Sequence, residues 1–341
     1  MLTIPYQYAH HISMINVQCP GSSSSLSSSS SCKIEKKGIE MDMQMYRIIL
    51  SVDKGQVGII QVTSFLTHAL TPFPSEMKQR DDHYVKFIAS HLVVSPYTTV
   101  TQTTLVKLPS GSGVKSWNKM EPSSRLGSKI TYGPYVDIPA NTLQLDTLHV
   151  HFQHGAKFMT LTNVVKEIEV SMWGTVTFEE VIEMVNTGAT LSGGFSRLEY
   201  SMQEAVANSF NAFTAILPEN AQDIYYRDII GNITTSKVRQ HPEFTEVLLR
   251  PRFPLFGGWK TNFYMGYTLP TEDVLVVKNG NQYTLTVPFA SHIADATVDD
   301  LTVKVILPEG AKDAQVSFPF LVDAETRTTR LTYLDSTSLI G

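Results

Sequence analysis

Cysteine is nearly missing from this chain: Cys19 and Cys32 are the only two in 341 residues, so everything after residue 32 is cysteine-free. That excludes a fold held by a disulfide scaffold, without fixing the compartment, since larger secreted domains fold without bridges. Long apolar runs are missing too. No stretch reaches the roughly 18 apolar residues that a membrane-spanning helix needs. Pro5, His10 and His11 stand where a secretory signal has an unbroken apolar core, so no signal peptide is read there. Excess charge of one sign is also lacking: 27 Lys and Arg against 32 Asp and Glu leave a net charge of −5. With no basic run, neither nucleic acid nor an anionic membrane surface is indicated as a partner. Helical periodicity is scarce as well, and FEEVIEMV (178–185), where strand alternation competes, is its one contender.

What is there reads as strand. An apolar content of 42% with 17% charged residues describes a globular chain long enough for two domains. From Gly55 onward short runs rich in β-branched and aromatic residues alternate with Pro, Gly, Ser and Asn clusters. They include VGIIQVTSFL, TVTQTTLVKL, TLHVHF, MTLTNVV, IEVSMW, TEVLLRPRF, FYMGYTL and LTVKVIL. This spacing predicts an all-β protein of two tandem β-sandwich-like domains. Before Gly55 the pattern fails. GSSSSLSSSSS (21–31) cannot bury apolar surface, so residues 1–54 are expected to be a disordered, serine-rich segment, with MYRIILSV (45–52) open between strand and short helix.

The chain repeats itself. ILPENAQD (216–223) and ILPEGAKD (306–313) lie ninety residues apart (306 − 216 = 90), and LVKLPSGSG (105–113) is a looser third copy. Proline has no N–H for a ladder, so Pro109, Pro218 and Pro308 mark strand ends, each preceded by a leucine on the expected core face: Leu108, Leu217 and Leu307. The proline turns are followed by Tyr132 and Tyr333 at similar distances, 23 and 25 residues on (132 − 109 = 23; 333 − 308 = 25). Two copies of one unit account for this. The expected domains are 55–165 and 166–341, joined near Val165, both incomplete: the first lacks its opening strands and the second its closing ones.

Chemistry-bearing motifs are sparse. His149 and His151 share one face of a strand, with His154 just beyond. Imidazoles at that spacing can share a metal, but no carboxylate or cysteine lies near in sequence, so a polar strand face is the favoured reading. HExxH, GxSxG, P-loop and GxGxxG patterns are absent. Glu179-Glu180 and Asp299-Asp300 put neighbours on opposite strand faces and are read as solvated surface. No catalytic, cofactor or metal residue is assigned. Asn232-Ile233-Thr234 is the sole N-x-[ST] sequon, set in a polar turn, and marks Asn232 as a candidate glycosylation site. The most distinctive stretch, RPRFPLFGGWKTNFYMGYTLP (250–270), combines prolines that hold the chain extended with a Gly-Gly turn before Trp259.

That stretch, with LTVKVILPEGAK (301–312), TYLD (332–335), YGPYVDIPA (132–140), IEVSMWG (168–174), FSRLEY (195–200) and ILPENAQDIYYRDIIGNITTS (216–236), resembles the ribophorin I family, subunit 1 of the endoplasmic-reticulum oligosaccharyltransferase. The resemblance runs in order from about Gly55 to Gly341. It implies the luminal part of a membrane-anchored, noncatalytic accessory subunit, at the endoplasmic-reticulum membrane. The complex moves a preassembled glycan from dolichol-pyrophosphate to the Asn of N-x-[ST] in nascent proteins. Implied partners are the other subunits, including the catalytic one, with nascent polypeptides and the translocon; no cofactor is implied. The Trp-Trp-Asp signature of the catalytic subunit is missing, since Trp117, Trp173 and Trp259 are isolated from one another. The competing reading is a free-standing β-sandwich module that binds carbohydrate or protein.

Overall fold

The computed structural model describes residues 2–5, 11–18, 33–40, 43–49, 59–109, 113–142, 147–202, 208–280, 282–318, 322–331 and 336–340. Among these, helix is confined to α1 (Arg197–Ser201) and α2 (Thr271–Val274), and every other regular element is a strand. The chain is all-β. It divides into two units, Met1–Ser75 with Asp82–Gly155, and Glu76–Asp81 with Ala156–Gly341.

The first unit begins with β1 (Leu2–Pro5), β2 (Ile12–Gln18), β3 (Lys33–Glu40), β4 (Met43–Ile49) and β5 (Gln61–Leu66). These pair as β1-β4-β3 and β2-β5. The segment expected to lie outside the fold therefore contributes strands on both sides of the serine tract. The tract itself falls outside the described residues. MYRIILSV resolves in favour of strand, as β4, with Gln44 and Tyr46 buried.

The rest of the unit holds β6 (Leu70–Pro72), β7 (Tyr84–Ser90), β8 (Thr99–Lys107), β9 (Val114–Trp117), β10 (Ser123–Leu126), β11 (Lys129–Ile138) and β12 (Thr147–Gln153). They form a four-stranded sheet, β9-β12-β7-β6, and a three-stranded one, β10-β11-β8. In β12 the period of two is strict. Leu148, Val150 and Phe152 are buried, while Thr147, His149, His151 and Gln153 take the other face. Tyr132 of β11 is fully enclosed, its hydroxyl donating to Asn118 O at 3.2 Å, and burial pushes its pKa up to about 12.

The second unit is built on one large sheet. Its strands are β13 (Met159–Val170), β14 (Thr175–Asn186), β15 (Phe213–Pro218), β16 (Gln222–Asp228), β17 (Gly231–Asn232), β18 (Lys237–Gln240), β19 (Phe244–Leu249), β20 (Lys260–Pro270), β21 (Leu301–Ile306), β22 (Arg327–Leu331) and β23 (Ser336–Ile340). The main path of the sheet runs β17-β16-β20-β14-β13-β21-β23-β22, antiparallel except where β13 meets β21; off this path the short strand Thr297–Val298 also pairs parallel with β13, and β15-β19-β18 form a second layer. One hydrophobic core joins the layers, with Val176, Phe178, Ile182, Phe263 and Met265 from the sheet and Phe213, Ala215, Leu217, Val247 and Leu249 from the second layer. The expected junction near Val165 lies in the middle of β13. MTLTNVV and IEVSMW, read as two strands, are one twelve-residue strand whose phase is reset by a bulge between Leu161 and Asn163.

The repeat has a structural counterpart. Pro218 O accepts from Ala221 N and Pro308 O from Ala311 N, both at 3.2 Å. Asp223 and Asp313 both take the left-handed conformation, at φ 49° and 55°. The burial expectation holds for one leucine of three: Leu217 is 1% exposed, whereas Leu108 and Leu307 are half-buried. Leu307 follows Leu301, Val303 and Val305, which keep the expected phase but sit at the margin of the core, only partly covered.

The Gly-Gly turn of the distinctive stretch answers to a close approach. A Cβ on Gly257 would lie 1.8 Å from Ala189 O, and Gly258 has φ 81°. The buried Asn186 fastens the turn: its Nδ2 donates to Leu255 O at 2.9 Å and its carbonyl accepts from Gly258 N at 2.8 Å.

Candidate functional site

Asn232 lies in a two-residue strand at the rim of the large sheet, paired with Arg227 of β16, and it is exposed, as is Thr234. Between them Ile233 turns inward, 7% exposed, its N–H donating to Tyr226 O at 2.9 Å. The preceding turn is rigid. Asp228 Oδ1 accepts from Ile230 N at 2.9 Å and from Gly231 N at 3.0 Å, and the Arg252 guanidinium forks onto the same carboxylate. The Arg252 hydrogen bond is the main cause holding the Asp228 carboxyl below its ordinary pKa. Sequence reasoning placed the sequon in a reachable turn; the structure puts it on a fixed hairpin with both sequon polar residues facing solvent.

The strand histidines bond to their surroundings. His149 Nε2 is 3.0 Å from Thr147 Oγ1, and His151 Nε2 is 3.0 Å from Phe73 O. His154 stands edge-on to Phe152 with ring centroids 6.0 Å apart, and burial lowers its pKa. Among the described residues no three His, Cys, Asp or Glu side chains gather as a metal site would require. His149 and His151 do share a surface hollow of ≈ 360 Å³ with Phe73, Lys86, Ser116, Trp117 and Asn118.

A buried gathering of titratable groups was not foreseen. Glu180, read from sequence as solvated, is 2% exposed. It occupies the core-facing phase of β14 with Val176, Phe178, Ile182 and Met184, directly opposite Lys166 of β13, which is fully buried. Lys166 Nζ is 3.4 Å from Glu180 Oε1 and donates to Ala290 O at 2.9 Å. A loop running over the sheet completes the cluster. Ser291 Oγ donates to Glu180 Oε2 at 2.7 Å, His292 Nδ1 lies 2.6 Å from Oε1, and the His292 N–H points to the same carboxylate at 3.2 Å.

The other ring nitrogen of His292, Nε2, lies 3.0 Å from the Tyr267 hydroxyl oxygen. Burial acts to raise the Glu180 pKa, but the His292 hydrogen bond, the charges of His292 and Lys166, and the Ser291 hydroxyl outweigh it, so the group stays ionised. Burial lowers the Lys166 pKa, and Glu180 only partly opposes this. The same loop bonds to the second layer through Ile216 N to His292 O at 2.9 Å and Ala294 N to Thr214 O at 2.8 Å. Lys166, Glu180 and His292 are buried and bonded, and Ser291 is half-buried above them, so the cluster fastens a loop between two layers. The available signal was phase: Lys166 and Glu180 interrupt alternating apolar positions in VVKEIEV and VTFEEVIEMV.

Comparison with known proteins gives a family and a set of relatives. The family described as ribophorin I matches residues 1–338, a span that includes the serine-rich segment. The chain is 41% identical over 310 residues to dolichyl-diphosphooligosaccharide–protein glycosyltransferase subunit 1 of Caenorhabditis elegans, covering 89% of this chain and 52% of that protein. It is 37% identical over 298 residues to subunit 1B of Arabidopsis thaliana, covering 86% of this chain and 63% of the relative. Subunit 1A of the same plant is 38% identical over 305 residues, covering 88% of this chain and 49% of its own length. The chain thus spans about half to three-fifths of these relatives. Among the described residues no helix is long and apolar enough to cross a membrane.

Proposed function

The chain belongs to the ribophorin I family, and on that premise we propose that it acts as a noncatalytic accessory subunit of an oligosaccharyltransferase on the luminal side of the endoplasmic-reticulum membrane. The observation that carries this reading is the match to relatives named subunit 1 of that glycosyltransferase, which runs through 310 residues and both units. The noncatalytic part draws support from the Lys166, Glu180 and His292 cluster. These side chains are between 0% and 8% exposed and bond to one another and to nearby backbone, leaving no open position for a substrate. Its partners on this reading are the other subunits, the catalytic one among them, with nascent chains and the translocon as neighbours. Asn232 is proposed as a glycan acceptor in its own right.

The test is association. The chain, tagged and expressed behind a functional signal sequence, is captured from microsomes in mild detergent. Recovery of an integral-membrane glycosyltransferase at a fixed ratio is the expected result. A chain that enters the lumen, shown by a glycan on Asn232, yet sediments alone would replace this reading with that of a free-standing binding module.

A further inference from the structure

The hollow on the first unit holds a lysine that differs from the other buried or half-buried lysines of the described residues. Lys304 pairs with Glu167 at 2.9 Å and Lys166 with Glu180 at 3.4 Å. Lys86 is half-buried too, yet among the described residues it forms no ion pair, and its Nζ stands over the Phe73 ring, 6.0 Å from the centroid. It stands in a row that crosses four strands on one sheet face. Thr71 of β6 opposes Lys86, Lys86 opposes His151 of β12, and His151 opposes Ser116 of β9. Residues directly opposite in antiparallel strands project from the same face within about 5.5 Å.

His149, two residues along the same face, adds a second imidazole. At one edge Phe73 closes the row, held by its N–H to Tyr84 O at 3.0 Å and by its carbonyl to His151 Nε2 at 3.0 Å. At the other edge Asn118 is pinned by its Oδ1 to His149 N at 2.6 Å and its Nδ2 to Thr147 O at 2.9 Å. Both walls are therefore fixed before any ligand arrives.

The lining holds one lysine, two histidines, a serine hydroxyl and an amide, and no acid. This is in a chain whose acidic residues outnumber its basic ones by 32 to 27. None of these groups carries a negative charge that would repel an anion. A hollow of ≈ 360 Å³ lies within the range of about 300–1,000 Å³ typical of small-molecule sites, more than one oxyanion alone would fill. We propose that this face of the first unit binds a phosphate group, carried on a small molecule, with Lys86 as the charge partner and Ser116, His149 and His151 around it.

The test uses the full chain, secreted behind a signal sequence, titrated with inorganic phosphate, a hexose 6-phosphate and the unphosphorylated hexose. Histidine ring resonances report the site. Saturable shifts of His149 and His151 with the hexose phosphate, weaker ones with phosphate and none with the neutral hexose are expected. Lys86→Met keeps the aliphatic stem against Phe73 and should weaken binding at least tenfold, Lys86→Arg should retain it, and Lys115→Met, a change just outside the lining, should leave it intact. Equal binding of the neutral hexose would make this a sugar site, and undiminished binding by folded Lys86→Met, or no saturation at millimolar ligand, would overturn the proposal outright.

Discussion

Each unit sets a lysine across a strand pair from a polar partner, and the outcomes are opposite. In the second unit Lys166 faces Glu180 inside the core, and a loop carrying Ser291 and His292 closes over both. In the first, Lys86 faces His151 on an outer sheet face, where no acid lines the hollow. Lysine and histidine recur in both places; what differs is a carboxylate and a lid. Burying a charged lysine without a counter-ion is costly, and Glu180 offsets that cost in the core site. The surface lysine keeps water within reach and tolerates vacancy, which leaves it able to take a ligand's charge.

The sharpest way to break this comparison is to give the core site the surface site's condition. Glu180→Gln removes the charge at almost constant shape and leaves Lys166 buried against an amide, a change of the kind that destabilises by about 3–5 kcal/mol. Chemical denaturation of the single variant should show a loss of that size. In the double variant Lys166→Met, Glu180→Leu both charges go, and most of the loss should return. Some remains because Ser291 and His292 lose their acceptor. A double variant no better than the single would mean the cluster is held by more than its charges.

Next in size is the contrast between closed and half-closed apolar positions. Leu217→Ala, at 1% exposure, should cost roughly 2–5 kcal/mol, and Leu307→Ala at the matching repeat position about 1 kcal/mol. Equal costs would show that the core margin at β21 is tighter in solution than the half-buried state of Leu307 indicates.

Acid sharpens the same distinction. The folded pKa of Glu180 lies below the ordinary carboxylate value, so its contribution to stability is complete above about pH 4.3 and is lost as pH falls below that toward the folded pKa. Each unit of depression is worth about 1.4 kcal/mol. Between about pH 5 and pH 3 the parent should therefore lose stability more steeply than Lys166→Met, Glu180→Leu. Lys86→Met, by contrast, should change neither the slope nor the midpoint, since no carboxylate lines its site.

Much of the fold could be read from the residues because strand phase is local. The alternation of β12, the proline turns at 218 and 308 and the all-β class all follow from spacing within a dozen residues. What escaped depends on distance in sequence. Glu180 reads as surface because its acid neighbour Glu179 suggests a polar edge, while the groups that make it a core residue arrive 111 and 112 positions later, at Ser291 and His292. The hollow was half visible: His149 and His151 were recognised as one face, but Lys86 joins them through β7 and Ser116 through β9, pairings that no local pattern announces. The exposed sequon at Asn232, proposed as a glycan acceptor, is written in three adjacent residues and a turn.

The smallest effect on stability belongs to that last position, and it tests openness most directly. Asn232 and Thr234 are exposed while Ile233 between them anchors the hairpin. Thr234→Ala should leave the unfolding midpoint within about 0.5 kcal/mol of the parent, as surface substitutions do. Yet it should abolish modification, because the acceptor sequence is gone. Behind a functional signal sequence the parent should carry one N-glycan, seen as one mobility step removed by endoglycosidase, and Thr234→Ala should migrate as the deglycosylated form. Ile233→Ala separates exposure from rigidity: the sequon survives, but the anchor at Tyr226 O loses its side-chain support, so modification should persist while the hairpin loosens. A step that survives Thr234→Ala would move the glycan elsewhere, and no step in a parent shown to reach the lumen would mean that a partner covers this rim before the glycan can be added.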